Sequence, residues 1–125
     1  MKQLQDVQKL AEEFAACRKT MLAIGDETRQ YLILEMMQMG RCDGVRVGAI
    51  TERTHLSRPA VSHHLQILKE AGIIKVRREG TKNYYYFDAD ARAMNDLLQM
   101  LEHANEMMKN LPDRSRKTGN GGHTI

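Results

Sequence analysis

The 125-residue chain has no tryptophan, two cysteines and two prolines, and aromatic residues make up only 5% of it. Two thiols, Cys17 and Cys42, are too few for a disulfide framework, and without CxxC or CxC spacing they give no thiol metal centre. They are expected to be reduced and structural. No apolar run approaches the ~18 to 20 residues that a membrane-spanning helix needs, and the opening MKQLQDVQKLAEEF has no apolar signal core. A cytoplasmic protein with no membrane partner is expected. P-loop, HExxH and nucleophile-elbow motifs are all missing, as are paired inward-facing carboxylates, so the chain is not expected to be an enzyme.

What is present suits one small, mainly helical domain: 42% hydrophobic and 28% charged residues at a length of one domain. The net charge of +3 is unevenly spread. Residues 1–56 balance, and 88–111 are acidic. Residues 57–87 carry Arg58, Lys69, Lys75, Arg77, Arg78 and Lys82 against only Glu70 and Glu79. A contiguous basic block of this kind suits a polyanion, whose neutralised phosphates release counterions. A solvated basic face explains the charge alone equally well.

Along the chain, Val7, Leu10, Phe14, Cys17, Met21 and Leu22 recur at helical steps and predict one helix from Leu4 to Ala23. Asp26 can cap a second helix, ended by Gly40. With Tyr31, Leu32, Ile33, Leu34, Met36 and Met37 it is apolar nearly all round, which predicts a buried helix. A turn at 40–44, a minor strand at Val45-Arg46-Val47 and a brief helix from Gly48 to Arg53 follow. Ser57 is a good N-cap for a helix through Ala71, with Pro59 in its first turn and Gly72 as a left-handed stop. Val61, Leu65 and Leu68 form its core stripe. Ile73–Arg78 and Asn83–Phe87 are β-branched and aromatic, and read as a hairpin with its tip at Glu79-Gly80-Thr81-Lys82. Helical period returns from Ala89 to Asn110. The expected organisation is a single domain over 1–111 and a disordered tail over 112–125.

A short helix, a turn, a second helix and a basic-tipped hairpin make a winged helix-turn-helix, in the order α-α-(short β)-α-α-β-β-α. In that layout the second helix enters the DNA major groove and the hairpin reaches the backbone. Ser57, Arg58, Pro59, Ser62, His63, Gln66 and Lys69 are the candidate DNA-facing residues of the helix. Arg77, Arg78, Thr81, Lys82 and Tyr84 are those of the wing. The alternative from a different class is a winged helix that docks proteins, which would not need this row of donors and cations.

Three segments carry a resemblance to a known family: Leu22 to Arg29 (LAIGDETR), LSRPAVSHHLQILKEAGI from Leu56, and RREGTKNYYYF from Arg77. Over roughly residues 8–108 the chain resembles the ArsR (ArsR/SmtB) family of bacterial repressors. The resemblance implies a homodimer through the first and last helices, binding an imperfect palindrome in double-stranded DNA until an inducer, unidentified here, loosens it. Leu10, Phe14, Cys17, Met94, Leu98, Leu101 and Met108 are the dimer-interface candidates, on apolar stripes that independently suit helix-mediated pairing.

Many members of the family sense metals. The family's CxC site falls on Val45 to Ile50, where Arg46 and Gly48 replace the thiols, so it is absent. Its site on the last helix corresponds to Asp90, Arg92, His103 and Glu106. Arg92 puts a cation where that site has a histidine. Asp90, His103 and Glu106 are therefore only a residual zinc candidate, and no cofactor is expected. His103 and Glu106 more simply form a solvated i, i+3 pair.

Overall fold

The computed structural model describes residues 2–41 and 43–112. Cys42 and all of the expected tail after Pro112 lie outside them. Six helices and one hairpin are present among the described residues: α1 (Lys2–Ala16), α2 (Arg18–Ile24), α3 (Glu27–Met39), α4 (Val47–Arg53), α5 (Arg58–Glu70), β1 (Ile74–Glu79), β2 (Lys82–Phe87) and α6 (Arg92–Lys109).

The single first helix expected from periodicity is two helices. The chain bends at Cys17, whose φ/ψ of −95° and 4° leaves the helical well, although hydrogen bonds from Cys17 N to Glu13 O (3.0 Å) and Met21 N to Cys17 O (2.9 Å) run on through the bend. The two halves have different partners. α1 lies along α6, while α2 turns to pack on α3, α5 and α6 and buries Thr20 and Ala23.

α3 begins as expected at Asp26, whose carboxylate accepts from Arg29 N at 3.0 Å, and stops at Gly40 with φ 60°. The backbone N–H of Arg29 holds the Asp26 carboxyl below the usual carboxylate range. The helix is not the buried one. Leu32 and Met36 are its only buried residues, and Tyr31, Leu34 and Met37 stand on an exposed face. α2 and α4 cover one side only, and an all-round apolar sequence does not specify how many neighbours a helix has.

α5 carries both ends of its capping chemistry. Ser57 Oγ accepts from Ala60 N at 3.3 Å. At the other end Gly72 (φ 80°) lets its own N–H reach Lys69 O and that of Ile73 reach Leu68 O, both at 3.0 Å. This Schellman pair satisfies carbonyls that the helix leaves free and aims the chain directly into β1. The strands pair antiparallel from Ile74↔Phe87 to Glu79↔Lys82. The connection is a two-residue turn, Gly80-Thr81, tighter than the four-residue tip expected. Gly80, at φ 61°, supplies the positive φ that such a turn needs.

Val45 adds a single bridge to Tyr85, two backbone hydrogen bonds of 2.8 Å, so Gly44 and Val45 are laid against the wing. Gly44 makes this possible. At φ 99° it comes so close to β2 that a Cβ would meet Tyr84 Cβ at 3.0 Å and Tyr85 O at 3.1 Å. α6 starts at Arg92 rather than Ala89, because Asp88 Oδ1 accepts from Asp90 N at 3.0 Å and Asp88 O from Ala91 N at 3.1 Å, forming a turn first.

Two apolar clusters result. The larger, with Leu32, Ile50, Val61, Leu65, Leu68 and Ile74 essentially sealed, joins α2 to α5 and the hairpin base. The smaller is Cys17, Leu97 and Met100, flanked by Leu10 and Met21. Ile24 on α2 packs against both. No helix among the described residues is long and apolar enough to cross a membrane.

Candidate nucleic-acid interface

The stripe Val61, Leu65, Leu68 is buried, so the other side of α5 must face outward. Ser57, Arg58, Pro59, Ser62, His63, Gln66 and Lys69 are all exposed. Gln66 Nε2 donates to Glu70 Oε2 at 3.1 Å, a contact one turn along the helix that leaves the amide near the outer face. The adjacent histidines part company. His63 is exposed, whereas His64 turns inward and is half-buried, with its Nδ1 3.3 Å from Arg29 Nη1. Burial first, and the Arg29 charge second, push the His64 imidazole below the ordinary histidine range. The tertiary contact between Arg29 and His64 was not visible in the sequence.

On the wing, the five candidates divide into tip and base. Arg78, Thr81 and Lys82 are exposed at the tip, with Arg78 Nε donating to Gly80 O at 3.0 Å. Arg77 is held at the base: Nη2 donates to Asp43 O at 2.7 Å, the guanidinium lies 4.7 Å from the centre of the Tyr84 ring, and Glu79 pairs with it. Arg77 and Tyr84 therefore brace the wing against Asp43 and Gly44. This gives the glycine-bounded turn a structural task. Strand alternation carries the signal for the division, since consecutive Arg77 and Arg78 must point to opposite faces.

The dimer-interface candidates divide as well. Phe14, Leu98, Leu101 and Met108 are exposed on α1 and α6, joined by Leu4, Val7 and Leu111. An apolar cleft of about 580 Å³ between the two helices is lined by several of these residues and by the half-buried Leu10. Cys17 and Met94 are used inside the chain: Cys17 is 3% exposed against Leu97 and Met100, and Met94 packs on the larger cluster.

His103 Nδ1 lies 2.9 and 2.8 Å from the two carboxylate oxygens of Glu13, tying α6 to α1. Glu106 is exposed one turn away, in a polar cleft of about 390 Å³ that Glu13 and His103 also line. Asp90 precedes α6 altogether, and Arg92 to His103 alone spans about 16 Å of helix at ~1.5 Å per residue. The three cannot share one ion within a single chain. Among the described residues, no group of three or more His, Cys, Asp or Glu is placed to hold a metal.

Comparison with known proteins gives a consistent picture. The family model for "Bacterial regulatory protein, arsR family" matches residues 26–76, from the cap of α3 into β1. The chain is 37% identical over 79 residues to the uncharacterized HTH-type transcriptional regulator MJ1325 of Methanocaldococcus jannaschii, covering 63% of this chain and 85% of that one. It is 31% identical over 103 residues to the transcriptional repressor SmtB homolog of Synechocystis sp., covering 82% and 69%. Its backbone matches the homodimeric winged helix-turn-helix DNA-binding domain of Mb0332 from Mycobacterium bovis with a TM-score of 0.52 at 21% identity, over 94% of this chain and 93% of that one. That last likeness shows the fold.

Proposed function

The chain belongs to the arsR family of bacterial regulatory proteins, DNA-binding transcriptional regulators with a winged helix-turn-helix, and from that premise we propose that it is a homodimeric repressor reading an imperfect palindrome. The observation that carries this is the outer face of α5. Ser62, His63 and Gln66 stand unobstructed on the side opposite a sealed core stripe, with Arg58 and Lys69 at either end. Side chains of this length and hydrogen-bonding type suit base edges in the major groove, and the flanking cations suit phosphates. Arg78, Thr81 and Lys82 at the wing tip take the neighbouring backbone. Phe14, Leu98, Leu101 and Met108 provide the apolar face for a second copy, so that two α5 helices meet half-sites one duplex turn, about 34 to 36 Å, apart. An inducer that repacks α1 and α6 releases the DNA. No metal is assigned to that role, since no three His, Cys, Asp or Glu side chains among the described residues are placed to hold one.

The test is selection from a random duplex pool. Fluorescence anisotropy on the enriched sequence and a scrambled control then follows, at physiological salt with and without Zn²⁺. The expected result is enrichment of an inverted repeat, bound as a dimer and released by something other than zinc. Zinc-driven release would return Asp90, His103 and Glu106 to the site, with ligands shared between subunits. No enriched sequence at any salt would overturn the repressor reading in favour of a protein-docking winged helix.

A further inference from the structure

The Arg29 side chain contacts three residues outside its own helix, α3. Its Nε donates to Ala23 O at 2.7 Å and its Nη2 to Leu22 O at 3.1 Å, while Nη1 faces His64 Nδ1 at 3.3 Å. Gln30 Nε2 adds a bond to Ile24 O at 2.8 Å. The last carbonyls of α2, which the helix itself leaves free and partially negative, are thus taken by two residues of α3. The Arg29 side chain is only 13% exposed, so water competes poorly for these bonds. A guanidinium can only donate, so the His64 ring accepts at Nδ1 and carries its proton on Nε2.

We propose that Arg29 is a positioning residue for DNA reading: it ties the end of α2 to the inward-turned His64 and so fixes the rotation of α5, and this tie holds only while His64 is neutral. The proposal rests on the DNA-reading role of α5. Neighbouring side chains on a helix diverge by about 100°, so holding His64 inward sets the angle at which Ser62, His63 and Gln66 point outward. Protonation of His64 places an N–H against the guanidinium N–H and a second positive charge beside it. The charged groups facing His64 are Arg29 from α3, Asp26 from the turn before α3, and His63 on α5 itself. Burial and Arg29 outweigh Asp26, so the folded ring titrates below the ordinary histidine value of about 6.5. The tie is therefore complete above that value and is lost as pH falls through the lower folded one.

Two variants test this. His64→Asn keeps an acceptor near the Nδ1 position but cannot titrate. Arg29→Lys keeps the charge and loses the planar fork. Without DNA, ring ¹⁵N shifts of His64 are expected to report the Nε2-protonated tautomer in the wild type. With the enriched duplex, the wild-type preference over scrambled DNA should fall about tenfold as pH is lowered through the His64 titration that the same ring shifts report, roughly the worth of one hydrogen bond to a charged group. His64→Asn should keep its preference across that range, and Arg29→Lys should start about tenfold low. A wild-type Nδ1-protonated tautomer, or an acid loss as large in His64→Asn as in the wild type, overturns the proposal. The ¹⁵N shifts need no DNA, so failure of the repressor reading and failure of this tie are seen separately.

Discussion

The two ends of the molecule use apolar residues in opposite ways. Around α5, the stripe Val61, Leu65 and Leu68 is sealed under neighbouring elements, and apart from Pro59 the exposed side chains of the helix are polar. Along α1 and α6, three residues, Cys17, Leu97 and Met100, make the whole buried cluster, while Phe14, Leu98, Leu101 and Met108 remain 40% to 67% exposed. One end is complete as a single chain. The other leaves a contiguous apolar face in water, the kind of patch that marks an interaction surface. α2 is the wall that the two clusters share, through Ile24.

The sharpest way to break this contrast is to damage the sealed end. Leu65→Ala is expected to cost about 2 to 5 kcal/mol, as for other large-to-small core changes, and chemical denaturation of the variant measures it. The same loss at the α1/α6 face acts on assembly. Leu101→Glu should leave the protomer folded but raise the dimer dissociation constant about 100-fold, about 3 kcal/mol, in sedimentation equilibrium. A dimer that withstands it would move the interface elsewhere, with the exposed Tyr31, Leu34 and Met37 face of α3 the next to test. On the reading face, His63→Ala should weaken the enriched duplex by ~1 to 3 kcal/mol and scrambled DNA hardly at all. Smallest is Lys82→Ala, which should leave sequence preference intact and reduce the salt slope of binding by about one unit in a salt titration.

Local chemistry made much of this legible beforehand. Ser57, Pro59 and Gly72 bracket α5 through capping and dihedral preferences that act within a few residues, and the β-branched and aromatic runs mark the hairpin. What was hidden depends on partners distant in sequence. The bend at Cys17 is invisible because apolar spacing and hydrogen bonding both continue through it. The half-exposure of α3 follows from how many helices surround it, which its own apolar pattern does not encode. Arg29 and His64 are 35 positions apart, and each alone reads as an ordinary surface residue. The split between Arg77 and Arg78 was available from strand alternation, but the acceptor that holds Arg77, the Asp43 carbonyl, comes from a turn with no such pattern.

The bend at Cys17 also gives the molecule a clock. Its thiol is sealed between α1, α2 and α6, and burial first, then the Asp96 and Glu13 carboxylates, push its pKa up. Only a thiolate in contact with solvent reacts, so in a Cys42→Ser background an alkylating reagent modifies Cys17 only during the intervals when these helices part. The modification rate counts those intervals without any attached label. Whatever holds the α1/α6 end shut slows the count, and whatever loosens it runs the clock faster.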